Sequence, residues 1–255
     1  MKVLRFKVGN DIRMGFVNGN RIREIEDFSF SNDYAYGERR CLELEEVKIL
    51  PPSEPTKILG IGLNYMEHIK EVGMEIPGEP LFFYKPPSSL IGHGEEIILP
   101  KMSEQVEYEG ELAIVIGKRT KDVHKEIAMN YVYGYSCFND VTARDLQRKD
   151  RLWSRAKGFD TFSSYGPWIV TKDEVPNPNN LKIKTILNDE IRQNSSTDNL
   201  IFRVEDLVSY LSSIMTLEPG EIIATGTPCG VGKLRHGDTI EVHVEKVGVL
   251  INKVI

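Results

Sequence analysis

The chain has 255 residues, 40% of them apolar and 27% charged, with a formal net charge of −6. That length can bury one large core of the barrel or sandwich kind, and an acidic balance without any basic run excludes a general nucleic-acid binder. No apolar run approaches the roughly 20 residues needed to cross a bilayer, Met1 leads straight into the alternating segment 2–8 rather than a signal peptide, and Cys41, Cys137 and Cys229 show no Cys-x-x-Cys spacing, so a cytosolic protein with reduced thiols and no membrane partner is expected, with Cys137 buried.

The first fifty residues alternate apolar and polar between the turn signals Gly9-Asn10-Asp11 and Asn18-Gly19-Asn20, which predicts a small β-rich lobe. Leu50-Pro51-Pro52-Ser53-Glu54-Pro55 breaks helix and sheet alike. The expected division is therefore a lobe over 1–55 and a main domain over 56–255. Lys57 to Gly62 reads as a buried strand, followed by a short helix over 63–73 that Asn64 could cap and Gly73 closes. His68 and Glu71, three apart, share a helix face where the carboxylate can hold the imidazole. A lone His beside a Glu is more often surface decoration, but this pair follows a strand's C-terminal end, where ligands tend to sit. The Gly- and Pro-rich segment 73–80 could let the helix move as a lid.

Segments 81–85 and 96–99 are further strands, each ended by proline. Lys85 belongs either to the surface or to a pocket. Residues 106–117, Val-Glu-Tyr-Glu-Gly-Glu-Leu-Ala-Ile-Val-Ile-Gly, then read as one strand whose second half is buried on both faces. Glu107, Glu109 and Glu111 would point to the same side. Such a column is either an edge that blocks aggregation or, at the mouth of a buried strand, part of a Mg²⁺ or Mn²⁺ site. Segment 131–138 is a β-rich run delivering Asn139-Asp140, with Asp140 at a strand end or as an N-cap for the helix that begins near Arg144. Lys157-Gly158-Phe159-Asp160 reads as a loop, 181–192 as a hairpin around Asn188-Asp189, and Val204, Leu207, Val208, Leu211, Ile214 and Met215 as the core-facing stripe of a helix. The Gly-rich turn 225–232 exposes N–H groups suited to a carboxylate or phosphate, and two strands over 238–244 and 249–254 complete a mainly β architecture.

The set Gly62-Leu63-Asn64-Tyr65 with His68 and Glu71, Tyr108-Glu109-Gly110-Glu111-Leu112, Asn139-Asp140-Val141-Thr142-Ala143-Arg144-Asp145, Lys157-Gly158-Phe159-Asp160 and Thr225-Gly226-Thr227-Pro228 with Gly230 closely resembles the fumarylacetoacetate hydrolase family. Five motifs in family order make the match specific. The resemblance implies an α+β, predominantly β fold, a mixed β-sandwich roll, and a homodimer. It implies Mg²⁺, or Mn²⁺ or Ca²⁺, held by Glu109, Glu111 and Asp140, with Glu107 behind the ligands. His68 and Glu71 match the lid pair that activates water or substrate, and Lys157 matches the lysine near the metal. Arg144, Gln147 and Thr227 match positions that hold the substrate's carboxylate or distal carbonyl. Segment 64–71 lacks the further Asp ligand of the founding branch, so true fumarylacetoacetate hydrolysis is not expected.

The expected activity is a metal-dependent C–C cleavage of a short 2-oxo acid bearing a second carbonyl or carboxylate, by acylpyruvate hydrolysis or oxaloacetate decarboxylation through an enolate. The alternative is a 2-hydroxyhepta-2,4-diene-1,7-dioate isomerase. A non-catalytic metal-binding protein of the same fold stands third, since loss of catalysis would remove the need for so many polar residues.

Overall fold

The computed structural model describes residues 1–26, 28–30 and 41–255; residues 27 and 31–40 of the expected N-terminal lobe lie outside them. The fold is α+β and predominantly β. Runs rich in Val, Ile and aromatic residues become the strands, because branched side chains pack well on a pleated surface. The largest sheet runs in the order Cys41–Glu43, Arg21–Ile25, Asp11–Asn18, Lys2–Val8, Ser163–Thr171, Val132–Asp140, Gly110–Ile116, Ile222–Ala224, Ile58–Gly62, Leu81–Lys85. The N-terminal strands thus continue the main sheet, Lys2 pairing with Val170 and Val3 with Ile169. Pro51 to Pro55 lie outside regular strands and helices.

At the centre, every residue of Gly110–Ile116 and of Val132–Asp140 is buried, as expected for strands covered on both faces. One cover is a five-stranded sheet, Glu190–Ser196, Lys182–Leu187, Thr239–Val244, Gly248–Val254 and Glu96–Ile97. Its inward side chains Ile183, Val242, Val244 and Leu250 join Leu112, Ile114, Ile116, Tyr135 and Cys137 in one core cluster. Each such aliphatic or aromatic side chain contributes roughly 1.5–3 kcal/mol by leaving water. Helix Val204–Ile214 closes the same cluster through Val204, Leu207, Val208 and Leu211. Of the last two residues of the expected stripe, Met215 is half-buried and packs against this cluster, while Ile214 does not. Ile214 is 48% exposed, because the helix ends at that residue and Met215 turns to an extended backbone with its N–H on Leu211 O.

Segment 106–116 departs from expectation in one respect. It forms two strands, Val106–Tyr108 in a small sheet with Thr142–Ala143 and Gly232–Lys233, and Gly110–Ile116 in the large one. Only glycine fits just after the break: a Cβ on Gly110 would sit 2.1 Å from Thr185 Oγ1, so the backbone there packs directly on the second sheet. Among the described residues no helix is long and apolar enough to cross a membrane.

Candidate active site

Antiparallel pairing sets Gly110 opposite Asn139. The Glu109 N–H donates to Asn139 Oδ1 at 3.0 Å, while the Asp140 N–H donates to Glu109 O at 2.9 Å. This register brings the carboxylates of Glu109, Glu111 and Asp140 together, with one oxygen of each inside a common span of 4.8 Å. All three are buried, Asp140 completely. Three carboxylates so placed repel strongly in a medium of low dielectric, and the chain surrounds them with cations.

Lys157 Nζ donates to Glu109 Oε2 and to Asp140 Oδ2, both at 2.7 Å. Lys85 Nζ donates to Asp140 Oδ1 and to Lys157 O, both at 2.6 Å. Arg144 donates through Nε to Glu107 Oε2 at 2.7 Å, through a second nitrogen to Glu109 Oε1, and through Nη1 to Gln147 Oε1 at 2.6 Å. Burial pushes the Glu109 carboxyl up, but Lys157, Arg144 and His68 outweigh it and hold the group at about 2. Glu111 has the opposite fate. Burial, with Asp140 and Glu109 adding to it, raises its carboxyl well above the usual range despite Lys157 and the Gly226 N–H. Burial lowers Lys85 against the pull of Asp140, whereas for Lys157 the attraction of Asp140 and Glu109 overcomes burial and raises it.

The turn after Ile222–Ala224 supplies the remaining support. Gly226, at φ 96°, places its N–H 2.8 Å from Glu111 Oε2, a carboxylate received by the Gly-rich turn as its sequence suggests. A Cβ there would meet Asn64 Cβ at 2.9 Å. Thr227 Oγ1 donates to Gly110 O at 3.0 Å and accepts from Gln193 Nε2 at 2.8 Å. Gln193 is completely buried and also accepts from Gly110 N–H at 3.0 Å and Thr185 Oγ1 at 2.6 Å. It therefore fixes the Gly110 backbone between the two carboxylate-bearing neighbours.

Across from this group lies helix Met66–Val72. His68 is 6% exposed, and its Nδ1 lies 2.9 Å from Glu71 Oε2. The second oxygen of Glu71 accepts the Gly230 N–H at 3.0 Å, so one carboxylate ties the helix to the Gly-rich turn. Gly73 ends the helix in the left-handed region, φ 68°, as expected. Asn64 does not cap it. Leu63, at φ 56°, turns the chain so that Asn64 Nδ2 donates to Thr225 O at 2.8 Å and Phe202 O at 3.0 Å, and Tyr65 takes the cap position.

His68, Glu71, Glu109, Arg144, Gln147, Lys157 and Thr227 all line one cleft of about 540 Å³. Asp140 and Glu111 lie beneath it. Every residue singled out from the sequence is thus placed at this cleft or directly under it. One differs in detail: Lys157 ends the short helix Ser154–Lys157 rather than sitting in a loop. Glu107, read from the sequence as lying behind the ligands, is held by Arg144 and by Gln105 Nε2 at 2.5 Å, outside the triad. Lys85, left open by the sequence, belongs to the site. Gln193 carried no signal, since one inward polar residue in a hairpin looks like any other.

An all-oxygen set of three buried carboxylates, one of them driven toward its protonated form by burial and then by its neighbours, has the chemistry of a hard divalent cation site. Residues 57–255 match the family model described as fumarylacetoacetate (FAA) hydrolase C-terminal, and residues 1–52 match that described as Rv2993c-like, N-terminal. The chain is 42% identical over 224 residues to the Homo sapiens protein named oxaloacetate tautomerase FAHD2A, mitochondrial, covering 84% of this chain and 71% of that one. Among solved structures it resembles the 2-hydroxyhepta-2,4-diene-1,7-dioate isomerase from Mycobacterium marinum, at 36% identity and a TM-score of 0.92 over 100% of this chain and 98% of that one. It also resembles the maleylpyruvate hydrolase from Sphingobium sp. SYK-6 in complex with manganese(II) ion and pyruvate, at 31% identity and a TM-score of 0.83 over 100% and 99%.

Proposed function

The chain belongs to the fumarylacetoacetate hydrolase family, and from that premise we propose that it is a divalent-metal-dependent enzyme acting on a short 2-oxo acid with a second carboxylate or carbonyl, moving a proton beside the keto group through an enolate. The observation that carries this reading is one cleft lined by the hydrogen-bonded pair His68–Glu71 together with Glu109 and Lys157, where Glu109 belongs to the buried group Glu109, Glu111 and Asp140 and Lys157 bridges Glu109 and Asp140. Tautomerisation or isomerisation stands ahead of cleavage because two of the similar proteins bear the names oxaloacetate tautomerase and isomerase.

Glu109, Glu111 and Asp140 would hold Mg²⁺ or Mn²⁺, with Ca²⁺ as a third possibility. The ion would supply Lewis acidity, stabilising negative charge as it develops on the substrate's keto oxygen. Lys157 brings a fixed positive charge to the same point. With Nδ1 turned to Glu71, His68 has Nε2 as the atom that takes the proton from the carbon beside the keto group and returns it elsewhere. Glu71 then stabilises the imidazolium. Thr227, Gln147 and Arg144, which line the same cleft, would orient the substrate.

A second reading, cleavage of a C–C bond by hydrolysis or decarboxylation, is favoured by the likeness to a maleylpyruvate hydrolase. In that case His68 Nε2 would hold a water. The same proposal includes the homodimer and the cytosolic location expected from the sequence; sedimentation equilibrium and cell fractionation test them.

A panel of acetylpyruvate, oxaloacetate and a 2-hydroxydienedioate, followed by ultraviolet absorbance with Mg²⁺ and with EDTA, decides among these readings. Metal-dependent keto–enol interconversion without loss of the carbon skeleton supports tautomerisation, and loss of acetylpyruvate or oxaloacetate supports cleavage. Silence on all three, with Mg²⁺ still bound, supports the non-catalytic protein.

A further inference from the structure

We propose that Arg148 receives the distal carboxylate of the substrate, making this cleft selective for 2-oxo acids that carry two carboxylates over those that carry one. The inference rests on the function proposed above and concerns the opposite end of the same substrate.

The inner cations have little charge left to offer a second carboxylate. Lys157 faces Glu109 and Asp140, Lys85 faces Asp140, and Arg144 faces Glu107 and Glu109. Arg148 is different. It lines the cleft, is exposed, and pairs with no carboxylate among the described residues; its hydrogen bond goes from Nη1 to the neutral Gln105 Oε1 at 3.1 Å. Gln105 in turn donates to Glu107 Oε1 at 2.5 Å, and Glu107 accepts from Arg144. A chain of contacts thus runs from the buried carboxylates to Arg148, and its last link orients the guanidinium without neutralising it.

Position supports the same role. Arg144 and Arg148 are four apart on helix Arg144–Lys149, one above the other on the same face and about 6 Å apart along the axis. Arg144 is buried and Arg148 exposed, so the pair leads from the foot of the cleft to its mouth. The cleft is also lined by Leu63, Met74 and Trp153, which offer a carboxylate no charged partner. A guanidinium has five N–H donors in a fork that matches a carboxylate in two-point fashion. One donor is engaged by Gln105, and the rest are available to a ligand.

The test is calorimetric titration of the Mg²⁺-loaded protein and of its Arg148→Gln and Arg148→Lys variants with two unreactive probes. Oxamate carries the end that a 2-oxo acid presents to a metal; N-oxalylglycine carries the same end and a second carboxylate. Arg148→Gln should weaken N-oxalylglycine by about tenfold or more, the value of one charge-assisted contact, and leave oxamate within about twofold; Arg148→Lys should recover part of the loss. Equal weakening of both probes, or of neither, overturns the inference while leaving the proposed function intact. If the wild-type protein binds neither probe with Mg²⁺ present, the 2-oxo-acid reading itself fails, and the inference with it.

Discussion

Replacing Lys157 by Met removes the ammonium that bridges Glu109 and Asp140 and leaves a side chain of similar length. The magnitude follows from Glu109. Its carboxyl is held at about 2 against an ordinary 4.5, a difference worth ~3 kcal/mol at ~1.4 kcal/mol per pH unit. Lys157 is the largest favourable contributor to it, ahead of Arg144 and His68. Breaking a buried ion pair from one side costs roughly 3–5 kcal/mol in general, so a loss of about 3 kcal/mol is expected for the metal-free variant at neutral pH. A carboxylate whose folded value is depressed contributes its stability above the unfolded value and loses it as pH falls toward the folded one. The gap between wild type and Lys157→Met should accordingly be widest above 4.5 and close as pH falls toward 2. Urea unfolding with EDTA at a series of pH values measures it. A variant as stable as wild type at neutral pH, or a gap that does not shrink on acidification, would refute the view that Lys157 is the main counter-charge of the triad.

Three further outcomes are expected. Because burial and its carboxylate neighbours hold Glu111 well above the usual range, an arriving cation must displace a proton, so Mg²⁺ affinity should rise with pH and binding should release protons, measurable by calorimetry in buffers of different ionisation enthalpy; Glu111→Gln should abolish that proton release along with tight binding. His68→Ala should lower kcat by about 10²–10⁴-fold, the range for a positioned acid or base, with Mg²⁺ affinity nearly unchanged; equal loss of metal binding would assign His68 to structure. Gln193→Ala leaves the Gly110 N–H and the Thr185 hydroxyl without their buried partner, while the Thr227 hydroxyl keeps its bond to Gly110 O; at about 1–3 kcal/mol for each group left unsatisfied, thermal unfolding should register a loss of at least that size.

Much of the site was legible because its chemistry is local in sequence. Glu109 and Glu111 flank a glycine, Asp140 ends a buried strand, and His68 and Glu71 are three apart on a helix. What escaped was set by distant contacts. Alternation reads 106–116 as one strand, but the chain changes sheets at Glu109, because 106–108 pair with 142–143 and 232–233, segments distant in sequence. Asn64 has the composition of a cap, yet three hydrogen bonds to Phe202 and Thr225 claim its side chain. Lys85 could not be assigned from its own segment because its partner lies 55 residues further on. The apolar stripe ending in Ile214 and Met215 outruns its helix, since periodicity marks a face but not the residue at which the chain turns.

The separation of these partners also bears on how the protein reaches its native state. Lys85 meets Asp140 across 55 residues, Gly226 meets Glu111 across 115, and Asn64 meets Phe202 across 138. Closing such loops costs entropy before any contact rewards it, and chains dominated by long-range pairing fold slowly. Lys157 and Arg144 meet Asp140 and Glu109 across only 17 and 35 residues, so the supporting turn is the costlier part to bring in, and a partly synthesised chain that ends before Gly226 would carry the acidic residues without the N–H that receives Glu111.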